Sequence, residues 1–148
     1  MSIAQAKEIL KHQFGFDAFR MHQQAAIEAV LARRDCVLLM PTGGGKSLCY
    51  QIPALMFDGV TVVVSPLIAL MKDQVEALRN NGIEAAFLNS TQSAQEQATV
   101  HRLVRNGFLL VVLVWLGWTA GAQLSIVHVI NYVMAPFHRF DLGFYLAE

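Results

Sequence analysis

Eight residues, Met40-Pro-Thr-Gly-Gly-Gly-Lys-Ser47, follow directly on the apolar run Cys36-Val-Leu-Leu-Met40, and together they leave few folds open. The run is too short for a helix and unbroken in apolarity, the pattern of a strand covered on both faces. Gly43, Gly44 and Gly45 have no Cβ, so the backbone there can turn sharply and bring its N–H groups onto a ligand. Lys46–Phe57 has helical character, although Pro53 is expected to kink or shorten it. A helix N-terminus offers unsatisfied N–H groups and the positive end of a dipole, which is what a phosphate requires. Lys46 can then reach the outer phosphates, and the Ser47 hydroxyl can ligate Mg²⁺. In the general pattern G-x-x-x-x-G-K-[ST] the first position is Met40 here, while Gly45-Lys46-Ser47 match. A bare turn would need glycine but neither the lysine nor the serine. The segment therefore reads as a nucleotide-binding loop built on Thr42, Gly43, Gly44, Gly45, Lys46 and Ser47.

Around this loop, residues 1–107 alternate between two periods. Ser2 and Gln5 have capping-box spacing, and Ile3, Ala6, Ile9 and Leu10 share a helical face that stops at Gly15. A second helix fits Gln23–Ala32. Thr61–Val64 reads as a buried strand rich in β-branched residues. Leu67–Asn80 reads as a helix closed by Asn81-Gly82, Ala85–Leu88 as a weaker strand, and Ser93–Arg105 as a further helix. Strands and helices alternating in this way argue for an α/β fold of βαβ units on a parallel sheet, with a further parallel strand due at Phe108–Val114.

Eleven basic and eleven acidic residues cancel, so no global field attracts nucleic acid and any such binding must come from a local arrangement. Cys36 and Cys49 lack zinc-ligand spacing and read as buried small apolar residues. Met1–His12 does not resemble a signal peptide, which makes a reducing cytoplasm the expected setting. From Asn106 to His138 there is no Asp, Glu, Lys or Arg, and eight of the fourteen aromatics lie beyond residue 107. A composition boundary therefore falls near Gly107.

The motifs taken together resemble the start of a RecQ-family DNA helicase, a branch of helicase superfamily two. Phe14–Gln23 resembles that family's adenine-recognition motif, Met40–Ala54 its phosphate loop, Val63–Gln74 the next motif and Leu88-Asn89-Ser90-Thr91 a later one. The resemblance covers about two thirds of the chain. It implies a RecA-like sheet flanked by helices, incomplete here, in residues 1–107, with ATP and Mg²⁺ as cofactors. Phe16, Arg20 and Gln23 would then belong to the adenine site: a glutamine amide can pair bidentately with adenine N6 and N7, and a guanidinium can stack on the base. Met21 and His22 depart from the family, which tends to have Pro and Gly there. Ser65, Lys72, Asn89, Ser90 and Thr91 lie just beyond strand ends, where open α/β sheets bind ligands; their hydroxyls, amide and ammonium suit the backbone of single-stranded or partly duplex DNA. Read from spacing alone, Ser65 and Asn89 equally fit turn caps. The family also implies a nucleoid-associated location.

ATP hydrolysis in this class uses an Asp-Glu pair that holds the metal's water shell and orients the attacking water. Beyond Glu96 the carboxylates are Asp141 and Glu148, and Asp141-Leu-Gly-Phe144 is not such a motif. Translocation also needs a second motor domain. The expectation is a chain that binds nucleotide and does not unwind DNA, as a truncated, frameshifted or fused gene product would. The resemblance is expected to end near Gly107, since residues 108–148 carry none of that family's motifs. Within them, 108–130 is long enough to cross a bilayer and is flanked by Trp115, Trp118 and Tyr132, which leaves membrane association open. Gln123, Ser125 and His128 would be costly in lipid, and the preferred reading is a strand at Phe108–Val114 followed by a second strand or amphipathic segment at Leu124–Tyr132. No residue set in this portion suggests zinc; His128 and His138 have no carboxylate or cysteine placed to complete a ligand set.

Overall fold

The computed structural model describes residues 1–41, 43–65, 68–106, 111–114 and 128–130. Helix α1 runs from Ile3 to Phe14. Its start is fixed reciprocally: the Gln5 N–H donates to Ser2 Oγ at 3.3 Å while the Ser2 N–H donates to Gln5 Oε1 at 2.9 Å. It ends at Gly15, whose φ of 73° is a left-handed conformation that a Cβ would disfavour. Helix α2 (Gln23–Leu31) follows, then α3 (Leu48–Met56), β1 (Thr61–Val64), α4 (Ile68–Asn80), β2 (Ala85–Leu88) and α5 (Ala94–Arg105). Each lies within two residues of its expected bounds. Helix α3 carries Pro53 inside it and is shorter than Lys46–Phe57 at both ends.

Strands β3 (Val111–Val114) and β4 (His128–Ile130) complete a sheet of order β2-β3-β1-β4. Strand β3 is parallel to both neighbours, with Val111 opposite Thr61 on one side and Ala85 on the other. The parallel strand due at Phe108–Val114 is present at Val111–Val114, where it separates β1 from β2, and residues 108–110 lie outside the described residues. Strand β4 runs antiparallel to β1, with Val63 opposite Val129. The rest of the tail, including most of the apolar stretch 108–130, lies outside the described residues. Among the described residues no helix is long and apolar enough to cross a membrane.

The run Cys36–Met40 is not the buried strand its composition suggests. It has no regular structure, and Val37 and Leu39 are 91% and 83% exposed. None of the four described strands pairs with it, and apolar residues alone do not make a strand without a hydrogen-bonded partner. Cys36 is correspondingly exposed rather than buried, whereas Cys49 is buried as expected.

Among the described residues, three apolar clusters hold the elements together. Tyr50 and Ala54 of α3 meet Val63 of β1 and Met71, Val75 and Leu78 of α4 in one. Ala6 and Leu10 of α1, Ile27 of α2 and Leu48 and Ile52 of α3 form another. The third joins Val60, Ala86 of β2 and Val100 of α5. Phe14 packs against the first two. Helix α3 thus shares its apolar faces between two clusters, which fixes the loop at its N-terminus relative to everything else.

Candidate functional site

The segment before α3 has the backbone that three consecutive glycines permit. Gly43 and Gly45 sit at φ of 81° and 77°, and the Gly44 N–H donates to Pro41 O at 3.1 Å. Gly45 is required for space as well as for conformation: a Cβ there would lie 2.4 Å from Gln23 Nε2. The turn passes into α3 through Leu48 N–H to Gly45 O, Cys49 N–H to Lys46 O and Tyr50 N–H to Ser47 O. Ser47 has helical backbone angles and makes no capping bond through its hydroxyl. No hydrogen bond among the described residues takes the N–H of Gly45, Lys46 or Ser47. Lys46 Nζ donates to the loop's own carbonyls, Met40 O at 2.7 Å and Pro41 O at 3.1 Å. A loop that presents several N–H groups, an ammonium and a hydroxyl at a helix start can hold a polyphosphate and the metal that accompanies it. Thr42 lies outside the described residues.

Gln23, at the first position of α2, is 2% exposed and fully engaged. Its amide Nε2 donates to Gly45 O at 3.0 Å and Gly44 O at 3.3 Å, while Oε1 accepts from the Arg20 N–H at 2.8 Å. The side chain expected to face a base therefore clamps the glycine loop to the segment that precedes α2. Arg20 lies over the Phe16 ring, 5.7 Å from its centroid, and both are exposed, so a flat cationic and aromatic surface stands beside the clamp. Met21 has a φ of 48°, a left-handed angle uncommon for a residue with a side chain and one that glycine takes freely.

The positions expected on the sheet rim divide. Lys72 is exposed on α4, and Ser65 is half-buried at the end of β1. Ser90 and Thr91 are exposed in the turn after β2. Asn89 is buried and organises that turn: Oδ1 accepts from Thr91 N–H at 3.0 Å and Thr91 Oγ1 at 2.8 Å, and its backbone N–H donates to Gln92 Oε1 at 3.0 Å. It is a turn cap that presents its neighbours. Two features had no signal in the sequence. The Met40 and Pro41 carbonyls that receive Lys46 are backbone groups of residues read as strand and loop. The Tyr50 hydroxyl, on a side chain 2% exposed, donates to Gln74 Oε1 at 2.8 Å across α3 and α4. Burial, and after it the neighbouring Cys49, pushes that phenol above its usual range.

A family profile described as DEAD/DEAH box helicase matches residues 20–116. Curated proteins described as ATP-dependent DNA helicase RecQ align with the chain. The one from Bacillus subtilis (strain 168) is 61% identical over 62% of this chain and 16% of its own length. That of Haemophilus influenzae is 52% identical over 74% of this chain and 18% of its own. That of Pasteurella multocida is 44% identical over 92% of this chain and 21% of its own. The chain thus spans about a fifth or less of the length of these relatives.

Proposed function

Because the chain belongs to the DEAD/DEAH box helicase family, we propose that it forms the ATP-binding start of a RecQ-like, ATP-dependent DNA helicase motor. Gly43, Gly44, Gly45 and Lys46 hold the triphosphate, Thr42 and Ser47 close the loop, and Ser47 Oγ contributes to Mg²⁺ ligation. Phe16 and Arg20 receive the adenine, and Gln23, whose amide is engaged, holds the Arg20 segment against the phosphate loop. Ser65, Lys72, Ser90 and Thr91 contact the backbone of single-stranded or partly duplex DNA, with Asn89 shaping the turn. The setting is the cytoplasm, at the nucleoid.

The observation that carries this reading is the Gln23 amide. It ties the Arg20 segment to Gly44 and Gly45 in one hydrogen-bonded unit, so base-binding and phosphate-binding residues stand as one site although more than twenty residues separate them. Pairing of Val111–Val114 and His128–Ile130 with β1 supports a tail that belongs to the sheet rather than to a bilayer. The 148 residues contain no Asp-Glu pair, which supports binding without turnover by this chain alone.

The test is titration of a fluorescent ATP analogue with Mg²⁺ against the full chain. Saturable binding is expected, weakened by at least about tenfold in Lys46→Ala, since a charge-assisted bond to phosphate contributes roughly 1.5–3 kcal/mol. No saturation in the wild type, or none of this loss in the variant, overturns the nucleotide reading. DNA-stimulated phosphate release that disappears in Lys46→Ala would overturn the absence of turnover alone.

A further inference from the structure

Tyr50 and Gln74 join the two halves of the site described above. Tyr50 stands three residues beyond Ser47 and its N–H donates to Ser47 O at 3.2 Å, so its backbone is part of the turn that closes the phosphate loop. Its ring lies in the apolar cluster shared by α3, β1 and α4. A phenylalanine would fill the same volume. What the hydroxyl adds is one directed bond, 2.8 Å long, to Gln74 Oε1 on α4, the helix that starts just beyond Ser65 and carries Lys72. A buried hydroxyl cannot exchange its acceptor for water at low cost, so the bond adds one directed constraint to the apolar packing of α3 against α4.

We propose that the Tyr50 hydroxyl, through Gln74, couples triphosphate occupancy of the loop to the affinity of the α4 edge for single-stranded DNA. Any displacement of Ser47 on meeting phosphate or metal moves the first turn of α3, and the Tyr50–Gln74 bond carries that movement to the helix bearing Lys72. Tyr50 is a positioning residue, since its buried side chain acts through Gln74. The inference rests on the nucleotide and DNA contacts proposed above.

The experiment measures the Kd of a fluorescein-labelled oligothymidine for the full chain, with and without saturating AMP-PNP and Mg²⁺. In the wild type the two values are expected to differ by about fivefold or more, the lower end of ordinary coupling between sites. Tyr50→Phe and Gln74→Met should bring the ratio below about twofold while leaving the Kd for AMP-PNP alone within about threefold. Gln74→Glu, which keeps an acceptor oxygen at the same place, should retain the wild-type ratio. A purely structural bond would lower melting temperature in the first two variants and leave the ratio untouched, and that result overturns the proposal. So does a wild-type ratio near one with both probes bound. A wild type that binds neither probe overturns the nucleotide reading and this inference with it, so the two failures are told apart. Should Tyr50→Phe fail to fold, the Gln74→Met and Gln74→Glu pair decides by the same ratio.

Discussion

Gly45 carries two constraints, and a side chain violates both. Its φ of 77° lies where L-residues are strained, and a Cβ would meet Gln23 Nε2 at 2.4 Å. Gly45→Ala is therefore expected to destabilise the chain by about 2 kcal/mol and to release the Gln23 clamp. The check is a cycle of urea melts with Gln23→Ala: the double variant should lose less than the sum of the two singles, because removing the amide relieves the collision. Strict additivity would show that the two residues do not meet. At Cys49 the expectation concerns reactivity. Burial, and secondly the neighbouring Cys36, raises its pKa to about 11, so at neutral pH it stays a thiol and does not attack. A disulfide reagent should modify one thiol quickly in the native chain, the exposed Cys36, and Cys49 at least about a hundredfold more slowly until urea is added. Two fast equivalents would place Cys49 at the surface. The exposure of Cys36 was not legible from the apolar run that follows it, Val37 to Met40, which resembles the apolar surroundings of Cys49. Only the packing of α3 distinguishes them.

The helices were legible as elements because their ends are marked by side-chain chemistry that acts locally. Ser2 with Gln5 and Ser93 with Glu96 close capping boxes within one turn, and Gly15 and Gly82 take the left-handed angles that let a chain leave a helix. The Glu96 carboxylate accepts from the Ser93 N–H at 2.8 Å and Ser93 Oγ at 2.7 Å, and these bonds hold its pKa below the usual carboxylate range. The carboxylate form is thus favoured in the folded helix. Its contribution to α5 is complete above the unfolded glutamate value near 4.3 and is lost as pH falls through the lower folded value. Melting temperature should accordingly drop between about pH 5 and pH 3, and the drop should be smaller in Glu96→Gln, which has no charge to lose. Equal acid dependence in both chains would remove the capping box from the account. The element that failed was Cys36–Met40. A run of apolar residues becomes a strand only if it pairs with one, and β1 takes both its partners from far along the chain.

At the scale of the whole molecule, α3 is the keystone, sharing apolar faces with α1 and α2 on one side and with β1 and α4 on the other. Phe14 bridges these two clusters, and the turn after α4 is held to α1 by the Gln13 side chain, which donates to Asn81 O. Phe14→Ala should therefore loosen both clusters at once, at a cost of about 2–4 kcal/mol. A urea melt would show this as a fall in midpoint, and the fluorescent ATP analogue should bind more weakly because α3 sets the position of the phosphate loop. A variant that melts normally would mean the two clusters are independent. What the sequence by itself determined among the described residues are five helices, the capping boxes of α1 and α5, the strands at Thr61–Val64, Ala85–Leu88 and Val111–Val114, the glycine loop and its Lys-Ser pair. Tertiary structure alone decided how distant segments meet: β3 lying between β1 and β2, Gln23 gripping Gly44 and Gly45, Tyr50 reaching Gln74, and the exposure of Val37 and Leu39. The physical reason is that a cap or a left-handed glycine is satisfied by its own neighbours, whereas a strand edge or a buried amide is satisfied only by whichever distant group arrives there.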